Sequence, residues 1–226
     1  MDDDVVVTAM HCCVDSYDMA RPTLIAPGMR IRVSFDPDAD PFNPENGVVW
    51  YEGVQVDVPA TTLPPADAPL PNWVSWIGPG RDDIGVIKLA TSPGITPATV
   101  VDADALIGAD LKAESFAIVG YGISDIIRGN YRAWRSPQLQ VLFDGRNYRD
   151  DISVVSENQL YSDRYLMVSA GNRPGDSGSP LLAGGTVIGE CVTGQGAPTY
   201  FFRLDNPTGH ALLEKWLTPD RFVTLP

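Results

Sequence analysis

The sequence predicts an all-β protein. Three observations carry that reading. There are 21 glycines and 20 prolines spread along the chain. The apolar runs are short and suited to strands joined by turns. One helix-like pattern is present, confined to the C-terminal end. The chain has 226 residues, enough for one or two domains with a sizeable core. It is 44% hydrophobic and 20% charged, a balance that folds rather than stays disordered.

The elements follow in order. The run Val5-Val6-Val7-Thr8-Ala9-Met10 reads as a strand leading into His11. Further strands are expected at 30–35, 47–51, 53–58, 84–89, 116–122 and 139–143, then at 165–168, 186–192 and 200–204. The stretch 36–45 is rich in Asp, Pro and Asn and reads as a loop, as does 59–71 with Pro59, Pro64, Pro65, Pro69 and Pro71. Each loop is either decoration or the rim of a cleft. Asn206-Pro207 supplies a helix N-cap and a proline at the first helical position, ahead of an amphipathic pattern through Leu217.

A formal net charge of −13 argues against nucleic acid or an anionic membrane as partner. No apolar run approaches the ~20 residues of a membrane-spanning helix. The acidic start Met-Asp-Asp-Asp is unlike a signal peptide. The three cysteines are expected as free thiols in apolar strands, with a disulfide the lesser alternative. A zinc site built on His11, Cys12, Cys13 and Cys191 is disfavoured, because three consecutive residues fit one tetrahedral ion poorly.

The chemistry concentrates in Gly175-Asp176-Ser177-Gly178-Ser179-Pro180. Gly175 lacks a Cβ, so its N–H can approach a reacting carbonyl closely. The Gly175 and Ser177 amides could together form an oxyanion hole. Alone, the stretch is equally an ordinary polar turn. Upstream, Thr8-Ala9-Met10-His11-Cys12 ends a strand in a histidine, and Asp83-Ile84-Gly85-Val86-Ile87-Lys88-Leu89 opens a strand with an aspartate. A serine hydroxyl needs a base and the base an orienting carboxylate, which His11 and Asp83 would supply. Asp82 is the rival to Asp83, and otherwise reads as a solvated turn residue. His210, on the terminal helix, reads as a surface residue.

Three motifs in the order His, Asp, Ser resemble those of the trypsin/chymotrypsin-like serine peptidases. The resemblance implies two antiparallel six-stranded Greek-key β-barrels, the first incomplete, with a C-terminal helix. The first would span 1–100 with His11 and Asp83, the second 101–226 with Ser177. It implies a cofactor-free endopeptidase acting on proteins or peptides and secreted from the cell. It places Gly171 at the base of the specificity pocket, and Val192, Thr193 and Gly194 on the strand that pairs with substrate. Gly171 and Gly194 are equally plain turn glycines. Gly171 offers no carboxylate to an Arg or Lys side chain, though another acid such as Glu190 could reach in from a neighbouring strand. The His-to-Asp interval is longer than usual for the family. The chain starts ten residues before His11, where the family has two or three strands, so either the sequence is a fragment or the first barrel is reduced, and an open edge is expected there. Asp176 would then need a partner other than a chain-terminal ammonium, such as Arg173. The alternative is an inactive homologue that binds protein through the same cleft.

Overall fold

The structure, a computed structural model, describes residues 2–15, 23–24, 31–36, 47–59, 82–107, 109, 111, 116–120, 149–152, 154–156, 164–168, 175–193 and 199–225. Its strands are β1 Val5–Thr8, β2 Val14–Asp15, β3 Thr23–Leu24, β4 Ile31–Val33, β5 Tyr51–Asp57, β6 Gly85–Leu89, β7 Val100–Val101 and β8 Phe116–Ile118. They continue as β9 Arg149–Ile152, β10 Val154–Ser156, β11 Tyr165–Val168, β12 Pro180–Ala183, β13 Thr186–Thr193, β14 Thr199–Arg203 and β15 Phe222–Val223. The helix α1 is Pro207–Leu213.

One sheet runs β1-β6-β5-β4, all antiparallel. Its strand β1 is an edge that pairs β6 alone among the described strands. A second sheet runs β10-β11-β14-β13-β12-β8-β9, with β7 joining β13 and β15 in parallel. The strands β2 and β3 form a separate pair.

β6 explains why an almost unbroken apolar run is needed there. Side chains alternate across a strand. Val86 faces the larger core with Leu166, Leu181, Ile188 and Phe201. Ile87 and Leu89 face a smaller core with Met10, Cys13 and Val58. β6 is therefore covered on both faces, whereas β4 and β5 alternate half-buried and exposed residues.

The helix begins as its sequence dictates. Asn206 Oδ1 accepts from the Thr208 and Gly209 amides at 3.0 and 2.9 Å, with Pro207 next in line. It ends at Leu213 rather than Leu217. Residues 214–217 tighten into turns, with Lys215 and Trp216 donating three residues back to Leu212 and Leu213.

Several expectations are corrected. Residues 47–50 are not strand, so two expected strands reduce to β5 alone. β8 stops at Ile118, because Val119 and Gly120 turn towards the Ser177 loop. The expected strand 139–143 lies outside the described residues. His210 is buried, its ring tilted against Phe222 with centroids 4.6 Å apart and its Nε2 3.2 Å from Asp102 Oδ1. Its helix face packs inward, which the amphipathic pattern alone did not assign. None of the three cysteines is in a disulfide, but only Cys13 and Cys191 are buried; Cys12 is exposed on a 3₁₀ turn.

Within the second sheet Arg203 grips Asp205 through Nε and Nη2 at 2.9 and 2.8 Å, and Asp205 also accepts the Leu106 amide at 2.9 Å. Both side chains are buried. Removing one partner strands a charge, so Asp205→Ala should cost about 3–5 kcal/mol in urea unfolding. A loss under about 1 kcal/mol would show the pair to be dispensable.

Candidate active site

The β1–β6 register builds the first half of the site. Thr8 lies opposite Gly85, so the end of β1 meets the start of β6. Three residues after Thr8 comes His11; two before Gly85 comes Asp83. The chain turns at Met10–Cys12 through a short 3₁₀ segment, with the Cys13 amide bonded to the Met10 carbonyl at 2.7 Å. A Cβ on Gly85 would stand 2.8 Å from Cys13 Sγ and 3.4 Å from Met10 Cα, so glycine lets this turn fold under β6.

Asp83 holds His11 twice. The His11 amide donates to Asp83 Oδ1 at 2.9 Å, and Nδ1 meets Oδ2 at 2.8 Å. Asp83 is fully buried. A carboxylate only accepts, so Nδ1 carries a proton and Nε2 is the nitrogen left to work. Burial opposes charge on the ring, but the Asp83 hydrogen bond, the Cys12 side chain and the Asp83 charge outweigh it. The His11 pKa is raised from 6.5 to about 10.

Asp82 is not the solvated turn residue expected. It is buried, with Oδ1 3.7 Å from Arg164 Nη1. The next residue, Tyr165, hydrogen-bonds the Asp83 backbone through its hydroxyl. Arg164 and Tyr165 at the head of β11 thus receive Asp82 and Asp83 from the other sheet.

The second half is the turn at Ser177. Gly175 has φ 98° and Gly178 φ 80°, both in the left-handed region that glycine tolerates. The Ser179 amide donates to the Asp176 carbonyl at 2.9 Å, closing the turn. β13 clamps it: Gly178 N–H donates to Cys191 O at 2.7 Å, and Cys191 N–H to Ser179 O at 2.8 Å. Gly178 packs so closely on β1 that a Cβ would collide with Thr8 Oγ1 and stand 3.1 Å from the Ala9 amide nitrogen. The serine turn is thereby seated on the strand that leads to His11. Gly120 supports it from behind, its Cα face lying against Asp176 Oδ1 and Ser179 Oγ.

Of the other expected site residues, Val192 is buried in the core, and Thr193 pairs with Tyr200. Gly171 and Gly194 lie outside the described residues, as does Arg173. Sequence reading missed Gly120, whose role depends on a turn almost sixty residues away. It also missed the state of Glu190, although a glutamate within the apolar run of β13 was a visible anomaly. Glu190 is 1% exposed, and neither carboxyl oxygen has a hydrogen-bond partner among the described residues. Burial, then the neighbouring Asp83 charge, raises its pKa well above the usual carboxylate range.

The paired antiparallel sheets define a chymotrypsin-like double β-barrel fold. A particular solved structure shows the likeness: a Glu endopeptidase in complex with MPD, with TM-score 0.56 and 14% identity, covering 95% of this chain and 81% of that one. At this identity the likeness is one of fold. No family model matches the sequence, and no curated protein is significantly similar to it.

Two predictions follow from the geometry. The folded His11 pKa, about 10, lies above the unfolded 6.5. Folding therefore gains stability that is fully present below about pH 6.5 and lost as pH rises through about 10. Asp83→Asn should flatten this part of the stability–pH curve, measured by urea unfolding; an unchanged slope would contradict the coupling. Gly178→Ala should destabilise by about 1–3 kcal/mol, from a positive φ and the collision with Thr8. A variant as stable as the parent would refute the close seating of the turn.

Proposed function

We propose that the protein is a serine endopeptidase. The observation that supports this most is the doubly bonded His11–Asp83 pair, with the Ser177 turn seated on the same strand that carries His11. Ser177 Oγ attacks a peptide carbonyl, and His11 Nε2 takes the hydroxyl proton. The Gly175 and Ser177 amides hold the oxyanion. His11 then protonates the leaving amine, and water repeats the sequence on the acyl-enzyme. Asp83 holds the ring tautomer and stabilises the imidazolium. At the sequence position that the family resemblance assigns to the pocket base stands Gly171, which carries no carboxylate, so cleavage after apolar or aromatic residues is favoured over Arg or Lys.

A second reading has one observation in its favour. With a pKa of about 10, the His11 ring carries a proton at neutral pH and cannot accept another. An inactive homologue that binds protein through the cleft fits that state. The pH profile separates the readings. For the enzyme, kcat/KM should climb about tenfold per pH unit from neutrality towards about 10, as the neutral base becomes available.

Ser177→Ala should lower turnover by about 10⁴-fold or more, and a fluorophosphonate probe should label the parent but not the variant. A parent that neither labels nor cleaves peptides at any pH would overturn the endopeptidase reading. A substrate library selecting Arg or Lys would overturn the pocket assignment.

A further inference from the structure

Asp83 has a buried amide as well as a buried carboxylate. The residue is 0% exposed, and its N–H lies outside the strand ladder, because β6 begins two residues later at Gly85. No backbone carbonyl among the described residues accepts it. A buried N–H without an acceptor is costly, so a side chain has to supply one. The acceptor comes from the second sheet: the Asp83 N–H donates to the Tyr165 hydroxyl oxygen.

Tyr165 is held where that bond needs it. It opens β11 opposite Phe202, and its ring meets the Phe202 ring edge-on, with centroids 5.6 Å apart and planes at 79°. One residue earlier, the Arg164 carbonyl accepts the Arg203 amide at 2.7 Å, and Arg164 Nη1 stands 3.7 Å from Asp82 Oδ1. The head of β11 is therefore anchored on both sides of the contact. Burial, then the Asp83 charge, pushes the Tyr165 hydroxyl above the usual tyrosine value, so it stays protonated at neutral pH. A phenylalanine ring would fill the same core. The hydroxyl is the part of this side chain that serves Asp83.

We propose that Tyr165 is a positioning residue for the His11–Asp83 pair: its hydroxyl fixes the Asp83 backbone, and the fixed backbone aims the carboxylate at His11. Asp83 reaches His11 through two bonds, to the amide at 2.9 Å and to Nδ1 at 2.8 Å. Both lengths depend on where the Asp83 backbone stands. Without the hydroxyl, the buried amide has to seek another acceptor, and the carboxylate moves with it. Tyr165 acts through Asp83 and not on the reacting atoms. This role rests on the endopeptidase reading only in that the pair is taken as catalytic; the contact itself does not.

The test is an NMR titration of the His11 ring in the full chain, read beside His210, the only other histidine. Asp83 and Cys12 are the groups that raise the His11 pKa to about 10. Tyr165→Phe keeps the ring and removes the hydroxyl. It should lower the His11 midpoint by about one pH unit or more, as a charge-assisted hydrogen bond weakens, and leave His210 unmoved. Tyr200→Phe, which removes a hydroxyl from the neighbouring strand β14, should move neither. In the parent, a nuclear Overhauser contact should join the Tyr165 ring to the Asp83 amide, a reading that stands even if the variant fails to fold. Where hydrolysis is measured, the acid limb of the kcat/KM profile should shift down by the same amount as the His11 midpoint. Three results would overturn the role of Tyr165: an unmoved His11 midpoint in folded Tyr165→Phe, equal shifts at His11 and His210, or no Overhauser contact. A parent without hydrolysis at any pH would overturn the endopeptidase reading alone, because the His11 titration needs no turnover.

Discussion

The Asp82–Asp83 dipeptide is where the two halves of this molecule are tied together. Both side chains are buried, and each is met from a different direction. Asp83 spends its oxygens on the ring and amide of His11, in its own sheet. Its backbone is bonded by Tyr165, and Asp82 faces Arg164, both from the second sheet. Two adjacent carboxylates out of water would be costly without such partners. Here each receives a cationic group or ring on its own side, Arg164 for Asp82 and the His11 ring for Asp83.

The rest of the site follows from strand register. Once β6 is fixed by Asp83, its pairing with β1 sets where His11 emerges. β1 in turn offers Thr8 and Ala9 as the surface on which Gly178 rests. β13 holds the same turn from the other side through Cys191. The serine turn is thus pinned by one strand from each sheet, β1 through Thr8 and Ala9 and β13 through Cys191.

Local chemistry made much of this legible in the sequence. The Gly175 and Gly178 conformations are a property of the residues themselves. The Asn206 cap likewise needs only its own neighbours. Asp83 was readable because a strand pattern begins directly after it. What was not legible depends on distant pairing. Asp82 is solvated by its local context but buried by Arg164, which the fold brings from far along the chain. His210 sits at a helical position that could face either way until Phe222 and Asp102 settle it. Gly120 looks like a strand residue and proves to be a support for Asp176.

Glu190 shows how the electrostatics of the interior hold together. It lies close enough to Asp83 for that charge to raise its pKa, and burial works in the same direction. An ionised Glu190 would place a second negative charge beside the carboxylate that orients His11, with no partner of its own. Burial and the Asp83 charge both favour the protonated form of Glu190. Three acidic side chains can therefore share this interior for three separate reasons. Asp83 is matched by an imidazole, Asp82 faces a guanidinium, and burial together with the Asp83 charge raises the Glu190 pKa. The Asp83 charge acts on both His11 and Glu190, so a change at Asp83 alters the electrostatics of both.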